Sequence, residues 1–304
     1  MSSAASARWS TPIHRIRLEG ADARRFLHGQ SSQAIELAAS GACLPTCLIS
    51  PTGRMRALAL VRVDDTGTDL LVLAGDGPAV HQALDRVLFP ADRVKLGAAE
   101  AATLVRWMGP AAPEGTHANL LAPGVNLGAG ANQPAWLQTH GEALPAWLDA
   151  LPEFGPEAAE RQRIRQGFPA APGELNDSTN PFELGLAPWV NLNKGCYVGQ
   201  ETLAKLATYD GVKQQLRYWR CSHTGTITSG TTLTAAGGER AGVITSALAG
   251  PEGLEGLALV RRGALEEAQL LTSSGDGEGS TAITLEISVP AGFVAPPVGA
   301  GGQS

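Results

Sequence analysis

Apolar and polar residues alternate through IHRIRLEG, residues 13–20, the period of a strand with one buried face. ADARRFLHGQ follows as a short helix that turns Phe26 and Leu27 inward. CLISPTGRMRALALVRV reads as strand, turn, strand, with Pro51, Thr52 and Gly53 supplying the turn. TDLLVLAG is another strand. Pro78 then opens an amphipathic helix with Val80, Ala83, Leu84, Val87 and Leu88 on one face. Residues 109–134, rich in Gly, Pro, Ala and Asn, predict a loop. GVNLGAG inside it lacks the order of a dinucleotide fingerprint and has no Lys-Ser/Thr end. PEAAERQRIRQG, residues 156–167, predicts a helix with Pro at its start and Gly past its end. A polar, turn-rich stretch, GELNDSTNPFELGLAP, leads into NKGCYVGQETLAK.

After Tyr209 the pattern changes. QLRYWRCS, GTITSG, TTLTAAGG, GVITSALAG, LALVRRG and ITLEISV are short strand-like segments between turn residues, as in a compact β-barrel or sandwich. SSGDGEGS reads as a mobile loop. The pattern therefore divides the chain into a disordered tail (1–12), an N-terminal α+β part (13–108), a second α+β part (109–208), a β-barrel (209–290) and a second tail (291–304). A chain of 304 residues suits two or three domains.

Composition narrows the function classes. A net charge of -6 without a polybasic tract argues against direct DNA binding. No apolar run approaches the length of a membrane span, and the start lacks a secretory pattern, so the expectation is a cytoplasmic monomer. The four cysteines, Cys43, Cys47, Cys196 and Cys221, are irregularly spaced and read as reduced thiols. Cys43 and Cys47 could be two metal ligands or two strand residues near a proline bend. No second pair completes a zinc site, so no metal centre is expected.

The chemistry concentrates in KGCYVGQE, residues 194–201. Gly195 and Gly199 admit backbone conformations closed to other residues, or the close approach of a ligand. Gln200 and Glu201 open a helix with Leu203, Ala204, Leu206 and Ala207 inward. Cys196 sits just before that helix and two residues after Lys194. Both neighbours favour thiolate, which makes Cys196 a candidate reactive thiol; the alternative is a small residue in a tight turn. Lys194 reads either as a partner for an anion or as a solvated lysine.

Residues Lys194, Gly195, Cys196, Tyr197, Gly199, Gln200 and Glu201 resemble the signature of the YgfZ-type folate-binding proteins. These are implicated in maintaining iron–sulfur enzymes and share the fold family of the glycine-cleavage aminomethyltransferase, or T-protein. IRLEGADARRFLHGQSS, with Gly29 and Gln30, is similar to the family's first strand and helix. SPTGR, with Gly53 and Arg54, is similar to its turn, and PFELGL, with Pro181 and Glu183, stands at its distance before the signature. A helix with Arg163 and a closing Gly167 precedes both. The likeness spans residues 13 to about 290.

The resemblance implies an α+β fold of three domains around a central folate pocket, with a C-terminal β-barrel. It implies tetrahydrofolate or a derivative as cofactor, and iron–sulfur clients, tRNA-modifying enzymes among them, or assembly factors as partners. Glu183 would accept two parallel hydrogen bonds from the pterin. Without the resemblance, Glu183 reads as a helix-start or surface acid. Lys194, Tyr197 and Arg163 would also lie at the cofactor, and Cys196 would supply thiol chemistry. Tyr197 either stacks on the folate or packs the loop, and Trp189 either lines the pocket or packs the core. One departure matters. The catalytic Asp of the transferases falls at His81 or a near neighbour, Asp76 fits better as a helix cap, and the turn continues Arg54-Met55-Arg56 where the enzymes have acids. Arg165 also stands where the enzymes often have an acid. The implied role is an accessory protein. The alternatives are a tetrahydrofolate-dependent one-carbon transferase and a folate-binding module without thiol chemistry.

Overall fold

The computed structural model describes residues 6–113, 117–130, 133–274 and 281–298. Strand β1 (Ala7–Glu19) starts six residues earlier than the alternation predicts, so the expected tail is strand from Ala7 onward. Trp9 explains the extension: it is buried and stacks on Phe154 with ring centroids 5.7 Å apart. Helix α1 (Ala23–Gln30) buries Ala23 and Leu27 and leaves Phe26 half-buried. Strands β2 (Cys43–Ile49) and β3 (Met55–Val63) form the expected hairpin, followed by β4 (Gly67–Ala74). Cys43 and Cys47 thus occupy β2, where burial pushes the Cys43 thiol up to about 12 and raises that of Cys47 as well. Among the described residues no three potential metal ligands come together.

Helix α2 (Gly77–Asp85) is capped by Asp76, whose carboxylate accepts the Ala79 N–H at 3.0 Å. It buries Val80 and Leu84; Ala83 faces solvent from within the helix, and Val87 lies exposed beyond its end at Asp85. Strand β5 (Lys95–Met108), unanticipated in KLGAAEAATLVRWM, pairs along β1. Short strands β6 (Leu120–Leu121) and β7 (Ala135–Gln138) extend the sheet past β5. The order is β2-β3-β4-β1-β5-β7-β6. The division drawn at 108/109 therefore cuts across one continuous sheet.

Strands β3 and β4 are covered on both faces, and their side chains alternate between two cores. Leu58, Leu60, Leu71 and Leu73 enter the central core, while Ala57, Val61, Leu70 and Val72 join Leu27, Val80 and Leu84 beneath α1 and α2. The chain continues through the short α3 (Ala146–Asp149) and through α4 (Pro156–Gln166), which ends at Gly167 in the left-handed conformation, φ 67°. Helix α5 (Gln200–Thr208) follows the signature and buries Leu203 and Ala207.

The last strands are β8 (Gln214–Cys221), β9 (Thr232–Thr234), β10 (Arg240–Gly250), β11 (Gly253–Arg261), β12 (Gln269–Ser274) and β13 (Thr281–Ser288). They close into a barrel in the order β10-β11-β8-β13-β12-β9. GTITSG is not one of them: it is a loop that buries Ile227, and QLLTSS supplies the strand instead. Most of SSGDGEGS, residues 275–280, lies outside the described residues.

The fold class is α+β with a closed six-stranded barrel, as the resemblance implied. Sheet, connecting segment and barrel share the central core, in which Phe182 and Leu184 meet Leu216, Leu257 and Leu259. The expected second tail is partly ordered. Gly292 N–H donates to Gln166 O at 3.0 Å and Val294 N–H to Gly185 O at 3.0 Å, so residues 291–294 strap the end of α4 to the segment before the signature. Among the described residues no helix is long and apolar enough to cross a membrane.

Candidate functional site

Four segments converge beside the β2 edge of the sheet: the end of α1 (28–33), the hairpin turn (50–54), the PFELGL turn (180–185) and the signature loop (194–199). Ser32 begins the junction. Its N–H donates to Cys47 O at 3.0 Å and its hydroxyl to Trp189 O at 2.6 Å, while Asn191 N–H returns to Ser32 O at 2.9 Å. These bonds bring the residues before the signature against the edge strand.

The signature loop then docks on the hairpin turn through contacts only glycine permits. Gly199 has φ 80°, and a Cβ there would lie 2.6 Å from Ser50 O. Gly53 has φ 72°, and its Cβ would lie 3.0 Å from Thr202 Cγ2 in α5. A left-handed conformation and a close backbone approach thus coincide at Gly199. Of the other signature residues, Gln200 reaches the Lys194 carbonyl at 3.3 Å, and the exposed Glu201 pairs with Lys205 at 2.7 Å one helical turn on.

Lys194 answers neither sequence expectation. It is buried, and its ammonium donates to the carbonyls of His28, Ser31 (2.7 Å) and Gln33 (3.0 Å). Three N–H donors meet three acceptors, so none is left for an anion. The cation sits at the C-terminal end of α1, where unpaired carbonyls and the helix dipole favour it. Burial pulls Lys194 down to about 7. The carbonyls oppose that, because they need the protonated amine. Its Nζ also lies 4.5 Å from the centre of the Tyr197 ring. Tyr197 is buried, burial raises its hydroxyl pKa, and among the described residues the hydroxyl has no hydrogen-bond partner. Its ring packs the loop.

Arg163 is likewise committed. Its guanidinium reaches both Glu160 oxygens (2.8 and 2.6 Å), Phe168 O (2.8 Å), Glu174 Oε2 (3.2 Å) and Ser246 Oγ (2.8 Å). Five N–H donors meet five acceptors, which leaves Arg163 no donor for a cofactor. It ties α4 to the fully buried Glu174 and to β10. Arg165 pairs with Glu255 of the barrel at 2.8 Å.

Glu183 is 5% exposed, which removes the surface-acid alternative. Asn180 Oδ1 accepts the N–H groups of Phe182 (3.0 Å) and Glu183 (3.1 Å), and Glu183 Oε2 accepts Asn180 N–H at 2.9 Å. This reciprocal pair is a capping box built into a turn. The Glu183 carbonyl accepts Leu216 N–H of β8 at 2.8 Å. Arg54 Nη1 stands 3.9 Å from the carboxylate. Burial raises the carboxyl pKa above 4.5, opposed by Asn180, Arg54, Gln214 and Lys213. Behind the turn lies a cavity of about 170 Å³, walled by Leu184, Leu186, Trp189 and Phe168. Trp189 therefore both packs the core and lines a space.

Cys196 is exposed and unpaired, at the outer edge of this junction. His28, which the helix pattern does not single out, faces the loop: a Cβ on Gly195 would lie 3.7 Å from its Nε2. His81 is elsewhere. It is half-exposed on α2, and that helix packs into the core on the opposite face of the sheet from Phe182 and Leu184. Arg56 pairs with Asp177 at 2.9 Å.

No family model matches the chain. A chloroplastic protein of Arabidopsis thaliana, whose name places it provisionally among the transferases, is 31% identical over 265 residues, 79% of this chain and 61% of that protein. The chain thus spans about three-fifths of that relative's length. The mitochondrial dimethylglycine dehydrogenase of Mus musculus is 35% identical over 69 residues, 22% of this chain and 8% of that protein. Among solved structures, the glycine cleavage system aminomethyltransferase T from Bartonella henselae matches with a TM-score of 0.75 at 17% identity, covering 98% of this chain and 88% of that one. The chain has the aminomethyltransferase fold.

Proposed function

We propose that the protein binds tetrahydrofolate or a derivative and acts in the cytoplasm, as a monomer, in the assembly or repair of iron–sulfur clusters in client enzymes, including tRNA-modifying ones. The observation that carries this reading is Glu183. A carboxylate held at 5% exposure, with burial working against its charge, is matched by a ligand that brings two parallel N–H donors. The edge of a pterin is such a ligand. Arg54, close by, adds a cation. Lys194, Arg163 and Tyr197 support the loop and the helix around the site rather than touching the ligand. The thiol of Cys196 is the one reactive group that the junction presents to a client, and the signature octapeptide is what favours the YgfZ-type role.

A second reading is a tetrahydrofolate-dependent transferase, favoured by the fold and by the name of the plant relative. Against it stand Asp76, engaged as a helix cap, and Arg54 and Arg56 in place of acids.

Calorimetric titration with tetrahydrofolate tests the first reading. Wild type binds saturably, and Glu183→Gln weakens binding by roughly 10- to 100-fold, the worth of hydrogen bonds to a charged group. A folded wild type that does not bind sinks the folate reading. Cys196→Ser separates the rest: loss of client-enzyme activity with folate binding intact supports thiol chemistry, and full activity leaves a folate-binding module. Formation of methylene-tetrahydrofolate from an aminomethyl donor would make the protein a transferase.

A further inference from the structure

We infer that Arg106 and the cavity beside Phe168 form a binding site for a small organic carboxylate whose apolar body fits the cavity. The inference goes beyond the proposed function, and no part of it depends on Glu183, Cys196 or folate. Along β5, Leu104 turns into the central core, while Val105 and Trp107 pack in a separate cluster. Arg106 therefore projects on the side of Leu104, where the alternation calls for an apolar residue. It is 4% exposed. Its Nε donates to Leu127 O, and its Nη1 to Thr11 Oγ1 at 2.7 Å. A guanidinium has five N–H donors, so three are unspent among the described residues, two of them on Nη2. Burial lowers its pKa to about 10 with no acid opposing, so the charge is intact at pH 7. An arginine at such depth ordinarily has a counter-charge, as Arg163 has in Glu160 and Glu174. An anion would supply the missing one.

The surroundings decide the class of anion. The guanidinium carbon stands 4.9 Å from the centre of the Phe168 ring. That residue also walls the cavity of about 170 Å³, with Val125, Leu184, Leu186 and Trp189. The GVNLGAG loop joins the two. Its first residues, Gly124 to Asn126, line the cavity, and Leu127 accepts from Arg106. A Cβ on Gly128 would lie 3.4 Å from Phe168 and 3.6 Å from Arg106 Nε, so the loop bends round the guanidinium at a left-handed glycine, φ 93°. Asn126 fixes the bend: its Oδ1 accepts Gly128 N–H at 2.7 Å, and its Nδ2 donates to Gln166 Oε1 at 2.9 Å. The volume is close to the ~150 Å³ that holds a benzene and below the ~300 Å³ of a drug-sized site. A single ring or a short alkyl group fits, and a whole folate does not. Apolar walls disfavour a bare phosphate, whereas the planar fork of an arginine meets a carboxylate with two parallel N–H donors.

Thermal melting of the full chain with benzoate, at pH 7 in low-chloride buffer, tests this. A ligand that binds the folded state raises the melting temperature in step with its occupancy. We expect benzoate to raise it saturably in wild type, and benzyl alcohol, the same ring without the charge, to bind roughly tenfold more weakly. Arg106→Met should weaken benzoate by roughly tenfold or more. Arg106→Lys keeps the charge without the fork and should fall between the two, which keeps the test decisive if Arg106→Met does not fold. Leu186→Phe, which takes up cavity volume, should weaken benzoate as well. A wild type without a saturable shift overturns the inference, as does a full benzoate response in either Arg106 variant. An unchanged response in Leu186→Phe, or inorganic phosphate acting as strongly as benzoate, overturns the assignment of an apolar body to the cavity. Because neither folate nor client is present, failure of the folate titration leaves this result standing, and the converse holds.

Discussion

Single residues carry most of what distinguishes this junction. Gly199 is required twice, for its φ of 80° and for the 2.6 Å approach to Ser50 O. Gly199→Ala should therefore destabilise the protein by roughly 2–4 kcal/mol, read as a lower urea midpoint. Lys194→Met removes the side-chain donors to three carbonyls at the end of α1 and should cost about 1–3 kcal/mol, measured the same way. Glu183 runs the other way. Its folded-state pKa is raised above 4.5, so the native state holds the proton more tightly, and stability falls as pH rises through the folded value. Above the folded value the full penalty of the buried charge is present. Glu183→Gln keeps an acceptor for Asn180 N–H, and it should melt higher than wild type at pH 7 with the difference vanishing below about pH 4. A lower melting temperature at pH 7 would contradict this. The signature and the PFELGL element made these positions conspicuous in the sequence, but not their partners. The acceptors of Lys194 are backbone carbonyls more than 160 positions away, and no residue pattern records them.

At the scale of elements, α4 is fixed to the barrel by charge. Arg161 and Arg165 both reach Glu255, at 2.8 Å each, and Tyr218 donates its hydroxyl to the same carboxylate at 2.8 Å. Burial works to raise the Glu255 pKa, and Arg165, Tyr218 and Arg161 together hold it below 4.5. A lowered carboxylate contributes stability that is present above 4.5 and lost as pH falls through the folded value. Glu255→Gln should thus lower the melting temperature at pH 7, and scanning calorimetry should find the gap closing in acid. Helices with caps were legible: Asp76 and Pro78 start α2, and Gly167 ends α4. Strand edges were not. β5 is masked by its alanines, which pair with β1 without a clear apolar alternation. GTITSG has the β-branched residues of a strand, yet its flanking glycines make it a loop that contributes one buried isoleucine. The stripe continued past Asp85 to Val87 and Leu88 because hydrophobic spacing says nothing about where the core stops.

In the whole molecule, the parts the sequence separates share one interior. Leu216, Leu257 and Leu259 of the barrel pack with Phe182 and Leu184 and with the leucines of β3 and β4. A chain ending at residue 208 should therefore fail to fold, giving no cooperative transition in urea where the full chain gives one. A sharp transition in that fragment would show the barrel to be dispensable. Local periodicity could not foresee this arrangement, since the core joins residues far apart in the chain. The signature octapeptide pointed to it only through resemblance.

The strap at Val294 has a consequence for synthesis. Translation runs from the N-terminus, so the turn that holds Glu183 is synthesised before two of its partners, Leu216 and Val294. Until they are made, the carbonyls of Glu183 and Gly185 have no strand or strap to meet. A nascent chain can carry the signature and still lack a finished ligand turn, and a stop codon just after β13 would leave that turn half-tied in an otherwise complete barrel.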